Sequence, residues 1–127
     1  MQRQNFEELV VEAINELPAE FQDKLENVDV VVQDYPTQGQ LAKVGRGMTL
    51  LGLYEGVPHT WRTRSYGMVL PDKITIFQKT IEAKCHSRRE IITEVRNVVY
   101  HEIAHHFGIG DKLLHEIEAE KKRRGKR

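Results

Sequence analysis

Apolar residues recur at helical spacing near the start of the chain and predict an amphipathic helix over residues 5–17. These apolar residues are Phe6, Leu9, Val10, Ala13, Ile14 and Leu17. Asn5 and Glu8 have the spacing of an N-terminal capping residue and its reciprocal partner. Pro18 ends the periodic pattern, and we expect a short second helix over residues 19–25.

The hydrophobic pattern then changes to that of β-strands. β-Branched residues dominate positions 28–33 and predict a buried strand, which Asp34-Tyr35-Pro36 closes. Residues 37–47 show no regular pattern, contain glycines at positions 39, 45 and 47, and are predicted to be a flexible loop. A second strand is predicted over residues 49–54.

The second half of the chain predicts one more strand and a long helix. Ile74, Ile76 and Phe77 mark the third strand, and residues 78–85 are expected to form a short helical turn. Ser87 and Glu90 have the spacing of a capping box, so a long helix should begin near residue 88. Its apolar face is formed by Ile91, Val95 and Val98.

Together these elements predict an α+β fold in which a small mixed β-sheet packs against an N-terminal helix and a long helix. The chain has 127 residues, which is the size of one domain. We expect this domain to span residues 1–120 and a basic tail to span residues 121–127. Leu113, Leu114 and Ile117 indicate a short last helix before the tail.

Charge is balanced overall but unevenly distributed. The chain has 19 basic and 19 acidic residues, and six of the basic ones lie in the last seven positions. The tail could bind nucleic acid or an acidic surface, but its composition also suits a solvated helix end. We therefore expect no nucleic-acid partner.

Several classes of protein are disfavoured by what the sequence lacks. Cys85 is the only cysteine, so no intramolecular disulfide forms, and we expect its thiol to be a half-buried spectator. No stretch of the sequence has the length and apolar character of a membrane span, and the first residues do not have the apolar core of a signal peptide. The expected location is the cytoplasm, without a membrane partner.

The end of the long helix carries the segment His-Glu-Ile-Ala-His-His, residues 101–106. His101 and His105 are four residues apart, so both imidazoles project from one face of a helix and can bind the same metal ion. Glu102 is displaced from His101 by about 100° around the helix axis. Its carboxylate is therefore placed to contact a water molecule rather than the metal.

A third metal ligand is expected just beyond the helix. Gly108 ends the helix, and Asp111 follows where a reversed chain could bring its carboxylate to the metal. His115 and Glu116 are the alternatives for this third position. Three protein ligands leave one coordination position open, as in catalytic zinc sites. His59, His86 and His106 are interpreted as residues that do not bind the metal.

These residues resemble a family of very small bacterial zincin-like metallopeptidases, whose motif is H-E-x-x-H-x-x-G-x-x-D. The matching positions are His101, Glu102, His105, Gly108 and Asp111. Residues 51–56, Leu-Gly-Leu-Tyr-Glu-Gly, are similar to the same family. Metzincins instead have a third histidine and a downstream methionine turn, whereas the methionines here are at positions 1, 48 and 68. The resemblance implies a zincin-like core and a peptidase activity.

The interpretation that follows is a zinc-dependent metallopeptidase with Glu102 as general base on a zinc-bound water. Its substrate would be a peptide or an unfolded protein segment, paired with the predicted strand at residues 50–54. Tyr66, Arg62 or Arg64 could stabilise the oxyanion. Residues 56–67 could also contact single-stranded nucleic acid. Two alternatives are a metal-dependent nuclease or RNA-processing factor, and a non-catalytic metal-binding protein.

Overall fold

The structure is a computed structural model that describes residues 1–43, 50–56 and 71–108. Within these residues, helices and strands follow in the order α1, α2, β1, α3, β2, β3, α4, α5. Their bounds are Arg3–Asn15 for α1, Ala19–Lys24 for α2, Val28–Gln33 for β1, Gln38–Ala42 for α3, Gly52–Glu55 for β2, Asp72–Phe77 for β3, Gln78–Lys84 for α4 and Arg88–Phe107 for α5. The α+β fold class is confirmed.

The three described strands form a mixed sheet with β3 in the centre. β1 is parallel to β3, with Val28 opposite Asp72 and Gln33 opposite Phe77. β2 is antiparallel to β3, with Gly52 opposite Ile76. Because β3 lies between them, β1 and β2 are the two edge strands of the described sheet, and β2 is the edge that contacts α5.

The hydrophobic core lies between the sheet and the helices. α1 contributes Phe6, Leu9, Val10 and Ala13, whereas β3 contributes Ile74 and Ile76. α5 crosses this core and buries Ile91, Ile92, Val95, Val98, Val99, Tyr100, Ile103 and Ala104. Each fully buried aliphatic side chain contributes about 1.5–3 kcal/mol to the free energy of unfolding. The position of α5 is therefore determined by packing along most of its length.

The predicted start of the first helix is wrong, because the helix begins two residues earlier than predicted. α1 begins at Arg3, with Gln2 as its N-terminal cap residue, so Asn5 lies within the helix and does not cap it. The Arg3 side chain donates hydrogen bonds to Gln78 Oε1, the Val32 carbonyl and Asp34 Oδ1. These contacts with distant residues anchor the first turn, which local capping rules do not anticipate.

Part of the predicted loop over residues 37–47 is helical. α3 occupies Gln38–Ala42, and Thr37 and Gln40 form a reciprocal capping box at its start. This Thr-x-x-Gln spacing is itself a helix-start signal that the absence of an apolar stripe obscures. Residues 44–49, with the glycines at positions 45 and 47, lie outside the described residues.

The prediction that the first strand is buried is also wrong. Asp29 and Val31 of β1 are exposed, whereas Val30 and Val32 are partly buried against the core. Successive side chains of a strand point to opposite faces, and only one face of β1 packs on the helices. A run of valines therefore does not distinguish a central strand from an edge strand.

The remaining predicted elements agree closely with the structure. β3, α4 and the start of α5 lie at the expected positions. The second strand, predicted over residues 49–54, spans Gly52–Glu55, so the described residues 50 and 51 precede it. Ser87 Oγ accepts the Glu90 N–H as predicted, but the Glu90 carboxylate accepts the N–H of His86 instead of completing the box on Ser87. The predicted helix after residue 111 lies outside the described residues.

Over the described parts of the chain, none of the helices combines the length and apolar character needed to span a membrane.

Candidate active site

The candidate active site is built on the last two turns of α5. Along the helix, the buried face continues to Ile103 and Ala104, and the side chains of His101, His105 and His106 are exposed. Gly108 ends the helix with φ at 67°, in the left-handed region that glycine adopts without strain. Packing thus holds one side of the helix while the histidines emerge on its accessible side.

His101 and His105 lie one helical turn apart, and both are exposed. Their separation of four positions places the two imidazoles on one face, which fits the nitrogen donors that zinc prefers. Within residues 1–43, 50–56 and 71–108, no group of three metal-binding side chains comes together. Asp111, His115 and Glu116, the candidates for a third ligand, lie outside these residues, as does His59.

Glu102 lies on the side of α5 that faces the edge strand β2. Its Oε1 atom accepts a hydrogen bond of 2.7 Å from the backbone N–H of Tyr54. Burial raises the pKa of the Glu102 carboxyl group, and this effect is opposed by the Tyr54 hydrogen bond and then by His105 and His101. The Glu102 carboxylate is therefore half-buried, oriented by the backbone of β2, and placed between His101 and His105 in the sequence.

A glycine in the edge strand permits this approach between helix and strand. A Cβ atom added to Gly52 would lie 2.3 Å from Val98 Cγ1 and 3.2 Å from the carbonyl oxygen of Thr75. Any larger residue would therefore move β2 away from α5. Gly52 and Tyr54 are two positions apart on the strand, and Val98 and Glu102 are one turn apart on the helix. The close packing of Gly52 on Val98 thus fixes the spacing between β2 and α5, and at this spacing the Glu102 carboxylate reaches the Tyr54 N–H.

A second group of side chains connects the end of α5 to the sheet. The Tyr54 hydroxyl donates a 2.6 Å hydrogen bond to Asp72 Oδ2, and the Tyr54 ring stacks on His106 with centroids 3.9 Å apart. Phe107 meets the His106 ring edge to face at 4.9 Å. No sequence pattern predicts a role for the side chains of Tyr54 and Asp72, because only the fold brings strands β2 and β3 to this end of the helix.

Two other residues singled out by the sequence, His86 and Cys85, are described and lie before the start of α5. His86 is exposed just before α5, far in sequence from the histidine pair. Cys85 is a half-buried free thiol whose pKa is raised by burial and by Glu94 and Glu90. Arg62, Arg64, Tyr66 and the basic tail at positions 121–127 lie outside the described residues.

Comparison with solved structures supports the fold. A conserved hypothetical protein from Thermus thermophilus superposes with a TM-score of 0.53 and 22% sequence identity, over 84% of this chain and 94% of that chain. At this identity the similarity shows the fold alone. No curated protein matches the sequence.

Comparison with family models identifies the family. The model that describes zincin-like metallopeptidases matches residues 25–121, which include β1, the edge strand β2 and the whole of α5. The match covers more than half of the chain. It includes the positions predicted to bind metal, His101, His105 and Asp111. The expected resemblance to zincin-like metallopeptidases is therefore confirmed, and the chain belongs to that family.

Proposed function

We propose that this protein is a zinc-dependent metallopeptidase that hydrolyses extended peptides, with Glu102 as its general base. One observation carries the proposal: a half-buried carboxylate, Glu102, lies between two exposed histidines on one helix and is hydrogen-bonded to the backbone of an edge strand. This arrangement joins a potential metal site, a base and a potential peptide-binding strand within one small region.

The metal would be held by His101, His105 and, as its third protein ligand, Asp111. Two imidazoles and a carboxylate are a donor set that zinc binds readily, and three ligands leave a position open. When bound, zinc would polarise a water molecule and the scissile carbonyl group and so supply the electrophilic part of the reaction. The family membership supports a metal but does not identify the ligands.

Glu102 would accept the proton of the attacking water and deliver it to the leaving amine. A general base works best when its pKa is close to the working pH, and burial moves the pKa of Glu102 in that direction. The hydrogen bond from the Tyr54 N–H, and then His105 and His101, oppose this rise in the pKa of Glu102. The residue is thus suited to take up a proton and to release it again.

β2 is the strand that we propose pairs with the substrate backbone. Among the described strands it bonds to β3 on one side only, and on its other edge the Tyr54 N–H reaches Glu102 of α5. A peptide that pairs with this edge would offer a carbonyl group to the Tyr54 N–H, which Glu102 now occupies. Peptide binding would thereby release the Glu102 carboxylate toward the reacting water.

The test compares the parent protein with Glu102→Gln in a peptide-cleavage assay. Protein purified without an affinity tag is loaded with zinc and incubated with short peptides and denatured proteins, and cleavage is read by mass spectrometry. We expect cleavage by the parent, none by Glu102→Gln, and equal zinc content in both. Cleavage that persists in Glu102→Gln would contradict the assignment of the base. A parent that binds zinc but cleaves no substrate would favour a non-catalytic metal-binding protein.

A further inference from the structure

We infer that Tyr54 and Asp72 are positioning residues for the metal site, acting through the ring of His106 on the last turn of α5. This inference rests on the proposed function for its consequence, because the turn it concerns carries His105. Its physical basis is independent of that function. It consists of one buried carboxylate, one hydroxyl and two stacked rings.

The first step concerns the carboxylate of Asp72. This residue is the first of β3 and is 7% exposed, which is unusual for a charged side chain. Its Oδ2 atom accepts the Tyr54 hydroxyl at 2.6 Å and lies 3.7 Å from His106 Nε2. The proposed mechanism gives Asp72 no direct part in the reaction, so its contacts with Tyr54 and His106 call for another role.

The second step concerns the Tyr54 ring. With its hydroxyl bonded to Asp72 and its backbone N–H bonded to Glu102, the residue is held at both ends. The ring then forms a flat surface on which His106 stacks, with an angle of 20° between the planes. Gly56 leaves room for this stack, since a Cβ atom there would lie 3.3 Å from His106 Cε1.

The third step concerns what the stack supports. The last buried residues of α5 are Ile103 and Ala104, and all positions from His105 to Gly108 are exposed. The final turn of a helix also lacks partners for its last carbonyl groups and therefore frays readily. Stacking of His106 on Tyr54 ties this turn to the sheet. It thereby fixes the backbone from which the neighbouring His105 projects.

The experiment uses conservative variants that remove one contact at a time from the full chain. Tyr54→Phe removes the hydroxyl but keeps the ring and the backbone N–H, and Asp72→Asn removes the charge. Matched controls are Tyr35→Phe and Asp29→Asn, which change exposed residues of the same types. Zinc affinity is measured by competition with a chelator, and amide hydrogen exchange at residues 104–108 is measured in metal-free protein.

We expect Tyr54→Phe and Asp72→Asn to weaken zinc binding about tenfold and to accelerate exchange at residues 104–108, with neither control changing them. The visible spectrum of the cobalt-substituted protein should change in the same two variants. His106→Phe, which keeps a flat ring, should retain parental zinc affinity. His106→Ala should weaken zinc binding by about the same factor as Tyr54→Phe.

Parental zinc affinity and parental exchange in Tyr54→Phe and Asp72→Asn would overturn the inference. Equal losses of zinc affinity in His106→Phe and His106→Ala would also overturn it, since they would assign the effect to the imidazole and not to ring stacking. Exchange in metal-free protein tests the inference even if the parent cleaves no peptide. Failure of the peptidase proposal is therefore distinguishable from failure of this one.

Discussion

The backbone N–H of Tyr54 donates a hydrogen bond of 2.7 Å to the carboxylate of Glu102, which lies 48 residues later in the chain. This contact joins the edge strand β2 to the helix that carries the histidine pair. It gives the predicted general base a defined orientation. It also occupies a backbone donor that a paired peptide would use.

The first prediction concerns this hydrogen bond. Glu102→Ala removes the acceptor, so the Tyr54 amide should exchange with solvent faster than in the parent. Glu102→Gln keeps an oxygen acceptor and should preserve slow exchange, which makes it the matched control. The measurement is residue-resolved hydrogen exchange in metal-free protein. Unchanged protection of Tyr54 in Glu102→Ala would show that the contact does not persist in solution.

The second prediction concerns the metal ligands. The parent should bind about one zinc per chain, and His101→Ala or His105→Ala should reduce zinc content to near zero because only two ligands would remain. His86→Ala, at an exposed position before α5, is the control and should bind like the parent. Asp111→Ala should weaken zinc binding. If elemental analysis shows the loss in Glu116→Ala or His115→Ala instead, the third ligand is misassigned.

The third prediction concerns the contact between β2 and α5. Gly52→Ala places a Cβ atom 2.3 Å from Val98 Cγ1, and valine has little freedom to rotate away. The substitution should lower the free energy of unfolding by about 1–3 kcal/mol. Gly39→Ala is the control, because its Cβ atom would meet Thr37 Oγ1 at 3.9 Å, an ordinary contact. Denaturant unfolding measures the free energy of unfolding of both variants. Adding Val98→Ala to Gly52→Ala should restore part of the lost stability.

The fourth prediction concerns the end of α5. Gly108 has φ at 67°, and no described atom lies within 4 Å of the position of an added Cβ. Gly108→Ala should therefore cost about 1–2 kcal/mol through backbone strain alone, and Gly108→Asn should cost less because asparagine tolerates this region. Equal stability of the two variants in thermal unfolding would contradict this reasoning.

The fifth prediction concerns pH and Glu55. A hydrogen bond from Lys43 holds the pKa of Glu55 below its ordinary value, although burial opposes it. A carboxyl group with a lowered folded-state pKa stabilises the fold above its unfolded pKa, and this contribution is lost as pH falls through the folded value. Glu55→Gln should cost about 0.5 kcal/mol at neutral pH and nothing in strong acid.

The control for this prediction is Glu8→Gln, at an exposed position of α1. This substitution changes the same residue type away from Lys43, so it measures how replacing a glutamate alone affects the free energy of unfolding. A difference between parent and Glu55→Gln that does not shrink in acid would show that the Lys43 hydrogen bond does not stabilise the fold.

Local signals in the sequence were enough to predict most secondary structure and the histidine pair. Periodic burial along α5, the serine before it and the glycine after it are all short-range features, and each matches the structure. The start of α1 was mispredicted because Arg3 is anchored by Gln78 and Asp34, residues that are distant in sequence. β1 was expected to be buried because valine content does not reveal strand order.

The amino-acid sequence by itself determined which side chains project from the end of the long helix, since helical periodicity alone places His101 and His105 on one face. Only the tertiary structure decided what Glu102 contacts and what holds the following turn. Strand order brings β2 beside α5, and Gly52 allows the close approach. Tyr54 and Asp72 are joined by pairing between strands distant in sequence, which no local periodicity encodes.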